Sequence, residues 1–234
     1  PDPSASSRPS GPRPRARGDL GSEPVERLEA EVIDLSARLA AGTYELLVLV
    51  GELDHRGSWA TWGALSCAAW LADCCDIDVA TARTQVRVAR AMRQFPALDR
   101  AMSSGDVSYA KARVLAACLT DANVDDLLAI AATTPAGRLG AAIAAWSQRN
   151  DDPDAIRRRQ HEARSVSWRT EPDGMVVLTA RLTPEAAGAV CAAIDTSVTR
   201  NHAPAGAPLT HQRADALAEL VTDGGGSVTA ELVV

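Results

Sequence analysis

The stretch AAWLADCCDIDVATARTQVR, residues 68–87, predicts two helices joined by a tight turn, and it sets the fold expected for the first half of the chain. Asp76 stands at the turn, Ile77 adds an apolar contact beside it, and Asp78 is placed to cap the second helix. Small Ala72 falls where the two helices would cross and allows them to approach closely. This spacing is typical of a helix-turn-helix unit, and it also fits two packed helices that never touch DNA.

The second helix of this pair carries a stripe of arginines. Ala82, Val86 and Ala89 are predicted to face the core, and an arginine follows each of them. Those arginines lie about 100° further round the helix, on one line that Arg93 prolongs. With two threonines near the amino end, the stripe predicts entry into a major groove or contacts to phosphates. The predicted nucleic-acid-binding residues are Thr81, Arg83, Thr84, Arg87, Arg90 and Arg93. A solvated arginine face on an ordinary helix is the alternative.

The composition predicts a mainly α-helical protein. The 234 residues include five Trp, two Tyr and one Phe, so the core is expected to consist of Ala, Leu and Val, which suits closely packed helices. The net charge of −6 argues against coating nucleic acid or an anionic membrane by bulk attraction. Contact with duplex DNA therefore requires a local basic patch.

The cysteines and the apolar runs indicate a cytoplasmic protein without a membrane partner. The five cysteines include no C-x-x-C pair, which argues against a disulfide framework or a zinc site. They are interpreted as small buried hydrophobic residues in a reducing compartment. No apolar run approaches the length that spans a bilayer, and the first residues lack the apolar segment of a secretory signal.

Four regions are expected along the chain. Residues 1–22 are rich in Pro, Ser and Arg and are predicted to be a disordered tail. Residues 23–150 are predicted to form a multi-helix bundle, and residues 151–223 a smaller α+β part with a β-hairpin and two helices. Residues 224–234 read as a truncated strand that leads to a missing C-terminal domain.

The bundle is expected to begin with one long amphipathic helix, bent at Gly42. Its apolar stripe consists of Leu28, Val32, Leu35, Leu39, Leu46, Leu49 and Leu53. We expect the stripe to pack on the following helices, with a coiled coil between two copies as the alternative. Further helices are predicted over residues 58–75, 79–94, 97–103, 108–119, 124–132 and 135–148. In the smaller part, strands are predicted over 165–170 and 175–182, and helices over 183–199 and 211–222.

The remaining polar residues give weak signals. His55, His161, His202 and His211 are scattered without partners at metal-ligand spacing, and the acidic run 151–154 is more typical of a solvated break than of a magnesium site. Walker, dinucleotide and nucleophile-elbow motifs are absent from the sequence. We therefore predict no catalytic site, no metal and no cofactor in this chain.

Two further basic groups are weaker candidates for nucleic-acid contact. Lys111 and Arg113 are expected on the outer face of a helix capped by Ser108, which is otherwise an ordinary bundle helix. Arg164 and the run 157–159 form the other group, which neighbouring carboxylates can neutralise.

Several short stretches together resemble the 13E12 repeat proteins of actinobacteria, in the helical region termed domain of unknown function 222. The matching stretches are ELDHRGSW (52–59), AWLA (69–72), TAR (81–83), VRVARA (86–91), PDGM (172–175) and QRADAL (212–217). Their order and spacing agree from about residue 25 to residue 220. Each block alone is weakly specific, whereas their joint agreement is specific.

This resemblance implies a region that precedes an HNH endonuclease domain, a metal-dependent fold that cuts DNA. No position here matches the nuclease motif, so the resemblance implies a non-catalytic accessory region, with the divalent metal belonging only to the missing domain. It also implies DNA binding by the arginine stripe and an association with mobile or repeated elements. The alternative function is a helical protein-interaction or oligomerisation module in which the 28–53 stripe and the tryptophans mediate docking or formation of a homo-oligomer, without DNA binding.

Overall fold

The computed structural model describes residues 20–200 and 207–223, and these residues are mainly α-helical, as the composition predicts. The chain divides into two compact units, Pro1–Trp146 and Ser147–Val234. The polar run at residues 150–154, expected as the domain boundary, lies just after this division. Most of the predicted tail and the predicted strand in 224–234 lie outside the described residues.

The first unit is a bundle whose helices follow the predicted order. They are α1 (Val25–Arg56), α2 (Cys67–Cys75), α3 (Val79–Gln94), α4 (Pro96–Ser103), α5 (Tyr109–Leu115), α6 (Val124–Thr133) and α7 (Ala136–Asn150), with a 3₁₀ turn at Ser58–Trp62. The last turn of α7, from Ser147 onward, belongs to the second unit. Helix α3 packs against α1, α2, α4 and α5, so it is the central element. The largest fully buried side chains are Leu47, Leu71, Val88, Leu98, Leu115, Leu127, Leu139 and Cys67. Leucine, valine and alanine dominate this core, as expected from the scarcity of aromatic residues.

Two helix boundaries in this unit differ from the prediction. Residues 58–75 do not form one helix, because Gly57 and Gly63 both adopt left-handed backbone conformations on either side of the 3₁₀ turn. Helix α2 starts only at Cys67, where the Ser66 side chain accepts a hydrogen bond from the backbone N–H of Ala69. Helix α5 ends at Leu115, earlier than predicted.

Most of the apolar stripe of α1 does not pack on the following helices, so that expectation holds only at its end, where Leu53 is partly buried against the core. Val32, Leu35, Leu39 and Leu49 are 64%, 49%, 63% and 68% exposed. Helix α1 runs unbroken through Gly42 and buries a different face, the one that carries Leu47, Val50 and Gly51. A Cβ at Gly51 would lie 3.3 Å from the backbone oxygen of Ala89, so the glycine allows α1 to approach α3 closely.

The second unit contains α8 (Pro153–Glu162), β1 (Ser165–Thr170), β2 (Val176–Arg181), α9 (Pro184–Arg200) and α10 (Leu209–Asp223). The two strands pair antiparallel with Trp168 opposite Leu178, which confirms the predicted hairpin. Its turn places Gly174 at φ 82°, a left-handed conformation that favours glycine. The two long helices pack together, and Arg213 donates a hydrogen bond to Asp195 at 2.9 Å.

Helix α8 was not predicted. Its start is nonetheless encoded locally, because the Asp152 side chain accepts hydrogen bonds from the backbone N–H groups of Asp154 and Ala155 and Pro153 occupies the first turn. The acidic run was interpreted only as a break, and its capping role went unrecognised.

Candidate nucleic-acid interface

The turn between α2 and α3 has the geometry that the sequence predicts. Asp76 adopts a left-handed conformation, φ 55° and ψ 51°, and is the only non-glycine residue of the described ranges with positive φ. The backbone N–H of Ile77 donates to the Ala72 oxygen at 3.1 Å. Aspartate tolerates this region better than most residues, which is why a turn that commonly holds glycine accepts it here.

Asp78 begins α3 as its N-terminal cap. Its carboxylate accepts a hydrogen bond from the backbone N–H of Thr81 at 2.9 Å, and this bond lowers the pKa of Asp78 below its ordinary value. Because a carboxylate caps the amino end of the helix and places a negative charge there, that end is unfavourable for a phosphate. The side of α3 is the more favourable approach for an anion.

The buried side of the pair is the one predicted. Ala72 on α2 and Ala82, Val86 and Ala89 on α3 are all buried, so the two helices cross on small and apolar side chains. Arg83, Arg87 and Arg90 are exposed, in line with their position one residue beyond each core residue. The local geometry is thus that of two packed helices joined by a tight turn, which fits both interpretations of the sequence.

The two threonines of the predicted site serve the helix itself. The Thr81 hydroxyl donates to the Asp78 carboxylate at 3.3 Å. The Thr84 hydroxyl donates to the Ala80 backbone oxygen at 2.9 Å. Their protons are therefore used within the first turns of α3 and are not directed toward a ligand.

Arg90 holds α1 against α3. Its Nε and Nη2 donate to the two carboxylate oxygens of Asp54 at 2.6 Å and 2.9 Å, a bidentate pair. The Asp54 side chain is only 10% exposed, whereas that of Arg90 is 65% exposed. Hydrogen bonding to Arg90 keeps the pKa of Asp54 below its ordinary value despite burial. The sequence did not predict this contact, in which the Arg90 guanidinium holds two helices of the fold together.

Arg93 makes the second link between the same helices. Its Nη1 donates to the Glu52 carboxylate at 2.6 Å, and Arg56 donates to the other oxygen of that carboxylate at 2.6 Å. Hydrogen bonds from Arg56 and then Arg93 lower the pKa of Glu52. Two of the four predicted arginines are thus paired with carboxylates of α1.

Arg83 and Arg87 differ from the other two arginines. Both are exposed, and neither forms an ion pair within the part of the chain that the structure describes. Burial raises the pKa of Tyr109 on α5, and the charges of Arg113 and then of Arg87 oppose that rise. The Arg113 guanidinium lies 5.9 Å from the Tyr109 ring centroid, within range of a cation–π contact.

These residues define a surface that we term the open arginine face: Arg83 and Arg87 of α3 with Tyr109 and Arg113 of α5. Arg113 belonged to a separate weak candidate in the sequence, and only tertiary packing brings it beside α3. The prediction for Lys111 is wrong, because its ammonium group donates a hydrogen bond to the Ala131 backbone oxygen at 2.6 Å. It is half-buried and does not lie on an outer face.

Comparison with known families confirms one part of the resemblance seen in the sequence, the domain of unknown function 222. A family model described as a domain of unknown function, DUF222, matches residues 26–231. The chain belongs to the DUF222 family. No curated protein and no solved structure matches it. The family description assigns no activity, so a function for this DUF222 chain has to be argued from its own side chains.

The other reactive side chains of this DUF222 domain offer no second site. Among the described residues, no three His, Cys, Asp or Glu side chains come together as a metal site would require, and none of the helices is long and apolar enough to cross a membrane. The Cys67 thiol is buried, and burial is the main cause that raises its pKa to about 11. Cys74, Cys75 and Cys191 are exposed, which corrects the interpretation of all five cysteines as buried.

Proposed function

We propose that the helical unit of this DUF222 protein binds duplex DNA through phosphate contacts from the open arginine face. The observation that supports the proposal is that Arg83, Arg87 and Arg113 are exposed and form no ion pair in the described ranges, although the charge of Arg83 helps to lower the pKa of Asp78. The chain as a whole has a net charge of −6, so a cluster of exposed guanidinium groups is a local exception to its acidic balance.

The geometry favours phosphate contacts over base recognition. The hydroxyl protons of Thr81 and Thr84 are engaged, and Asp78 covers the amino end of α3. Guanidinium groups bind phosphate oxygens bidentately, and each such contact releases counter-ions from the duplex. We therefore expect binding that depends strongly on salt and weakly on base sequence.

Arg90 and Arg93 have a supporting role in this proposal. Their ion pairs with Asp54 and Glu52 fix α3 against α1. A rigid helix holds the open arginine face at a constant spacing, which lowers the entropy lost on binding. This assignment differs from the sequence prediction, which gave all four arginines the same role.

We further propose that DNA binding by this region positions a substrate for a nuclease domain, as the resemblance to the 13E12 proteins implies. In that arrangement an HNH domain carries out the metal-dependent cleavage, and the helical unit binds the DNA without taking part in catalysis. The association with mobile or repeated elements rests on the same resemblance.

Fluorescence anisotropy with a labelled duplex of mixed sequence, titrated at several salt concentrations, tests the proposal. The variant Arg83→Ala/Arg87→Ala is expected to bind about tenfold or more weakly, and the slope of log K against log salt is expected to fall by about two. Both residues are exposed, so the fold should tolerate their loss.

The matched control is Arg100→Ala/Arg138→Ala. It removes the same charge from two other exposed positions of the same unit, on α4 and α7. We expect it to retain most of the affinity. Unchanged binding by Arg83→Ala/Arg87→Ala would refute the proposal, and equal weakening by both variants would show attraction by total charge and not by this face.

A further inference from the structure

The exposed side of α1 is a surface that DNA binding leaves unused. Residues at alternating spacings of three and four occupy the a and d positions of four heptads: Val25, Leu28, Val32, Leu35, Leu39, Gly42, Leu46, Leu49 and Leu53. We term this set the α1 stripe. Eight of its nine members are apolar side chains, and the exception is Gly42. A repeat of 3.5 residues kept over this length is typical of a helix that pairs with another helix.

The first half of α1 lies outside the bundle. The buried residues of this helix are Leu47, Val50 and Gly51, and every residue from 32 to 42 is exposed. A single helix of this length is marginal in water without tertiary contacts. Val25 and Val32 are each 64% exposed, Leu35 is 49% and Leu39 is 63% exposed, and a continuous row of exposed apolar side chains marks an interaction surface. Both facts indicate that a partner covers the stripe.

We propose that the partner is a second copy of this chain, paired through α1 as an antiparallel coiled coil. In this arrangement Val32 packs opposite Leu35 of the second copy, Leu28 opposite Leu39, and Val25 opposite Gly42. The overlap therefore ends at Gly42, just before α1 begins to pack on its own bundle at Tyr44 and Leu47. An identical helix supplies a matching 3.5-residue repeat, and the two-fold symmetry of the pair limits the assembly to two copies.

The charges that flank the stripe select the antiparallel direction. Positions g hold Glu31, Arg38 and Glu45, and positions e hold Glu29, Ser36 and Thr43. A parallel pair places g against e and would set Arg38 beside Thr43. An antiparallel pair places g against g, so Arg38 meets Glu31 of the second copy, and symmetry repeats this contact on the other side. Within one copy Arg38 lies 3.0 Å from Asp34 and Glu31 lies 3.5 Å from Arg27, and these exposed pairs along one helix are weak enough to rearrange on dimerisation.

The same charges also select the register. Sliding the two antiparallel helices by one heptad toward their carboxyl ends would set Arg38 against Arg38 and Glu31 against Glu45. A second slide would pair Arg38 with Glu45 but would bring Glu31 against Glu52, which already binds Arg56 and Arg93. The Arg38–Glu31 register is the one that pairs opposite charges without opposing two carboxylates.

Sedimentation velocity of the full chain at about 10 and about 100 µM tests the proposal, because dimerisation depends on concentration by mass action. The wild type is expected to dimerise and Leu35→Asp to be monomeric, since the change places two carboxylates in the centre of the apolar overlap. Ile33→Asp is the matched control. Ile33 is 71% exposed on the same helix but lies outside the stripe, so this variant should still dimerise.

A charge exchange tests the register. Arg38→Glu and Glu31→Arg should each weaken the dimer about tenfold or more, and the double variant should restore it to within about threefold. Rescue of Arg38→Glu by Glu45→Arg and not by Glu31→Arg would contradict the register. A monomeric wild type at about 100 µM, or equal behaviour of Leu35→Asp and Ile33→Asp, would overturn the proposal. These outcomes are independent of DNA binding.

Discussion

Removing the Arg90 side chain should destabilise the first unit although this residue lies on an exposed stripe. Arg90→Ala leaves the Asp54 carboxylate, whose side chain is 10% exposed, without its bidentate partner at 2.6 Å and 2.9 Å. Breaking a fully buried pair in this way costs about 3–5 kcal/mol. Because the Arg90 side chain is itself 65% exposed, water screens the pair, and we expect a loss of about 1–2 kcal/mol in unfolding free energy.

Urea unfolding followed by tryptophan fluorescence measures this loss, since Trp59, Trp70 and Trp146 pack against the core of the same unit. The control is Arg87→Ala, which removes an equally charged side chain without an ion pair in the described ranges and should change stability by less than about 0.5 kcal/mol. Adding Asp54→Asn to Arg90→Ala should recover part of the loss, because the desolvated charge is then gone. Equal stability of Arg87→Ala and Arg90→Ala would refute this account of the pair.

The same pair predicts the pH dependence of stability. The folded pKa of Asp54 is lowered, so the pair contributes its stability above the unfolded pKa of about 4 and loses it as the pH falls through the lower folded pKa. The wild type should therefore lose stability toward acid more steeply than Arg90→Ala. Parallel pH profiles for the two proteins would argue against the predicted pKa shift.

Two further predictions concern the turn and the cysteines. At Asp76, with φ 55°, a β-branched side chain is strained, so Asp76→Val should cost about 1–2 kcal/mol of unfolding free energy, whereas Asp76→Gly should be tolerated. The midpoints of urea unfolding compare the two variants. Equal midpoints would contradict the left-handed conformation of Asp76. Cys67 is buried and its pKa is raised to about 11, so near neutral pH a thiol reagent should modify Cys74 and Cys75 well before Cys67. Mass spectrometry of the labelled peptides measures the order of modification. Early labelling of Cys67 would contradict its burial.

Local elements of the fold followed from sequence rules because their determinants are close together in the chain. The start of α3 at Val79 depends on the cap at Asp78, and its end depends on Pro96, which follows Phe95. The hairpin depended on its turn residues in the same way. Where neighbouring signals conflicted, as at the two left-handed glycines around Ser58–Trp62, the periodic apolar pattern gave too long a helix.

The candidate site was only partly predictable for a different reason. Spacing showed that Arg83, Arg87 and Arg90 share a side of α3, but it contained no information about which carboxylate lies across from each of them. Asp54 precedes Arg90 by 36 residues, and their contact exists only because α1 packs on α3. Arg113 joins the open arginine face through the packing of α5 on α3 in the same way.

By itself, the sequence determined the helical class, the capped turn and the apolar repeat of α1, because each of these depends on residues a few positions apart. The tertiary structure alone decided that two arginines bind carboxylates while others form no ion pair, and that α1 buries Leu47 and Val50 while most of its heptad stripe remains exposed. The physical reason is that periodicity fixes which side chains share a face of a helix, whereas only the packing of distant segments fixes what that face meets.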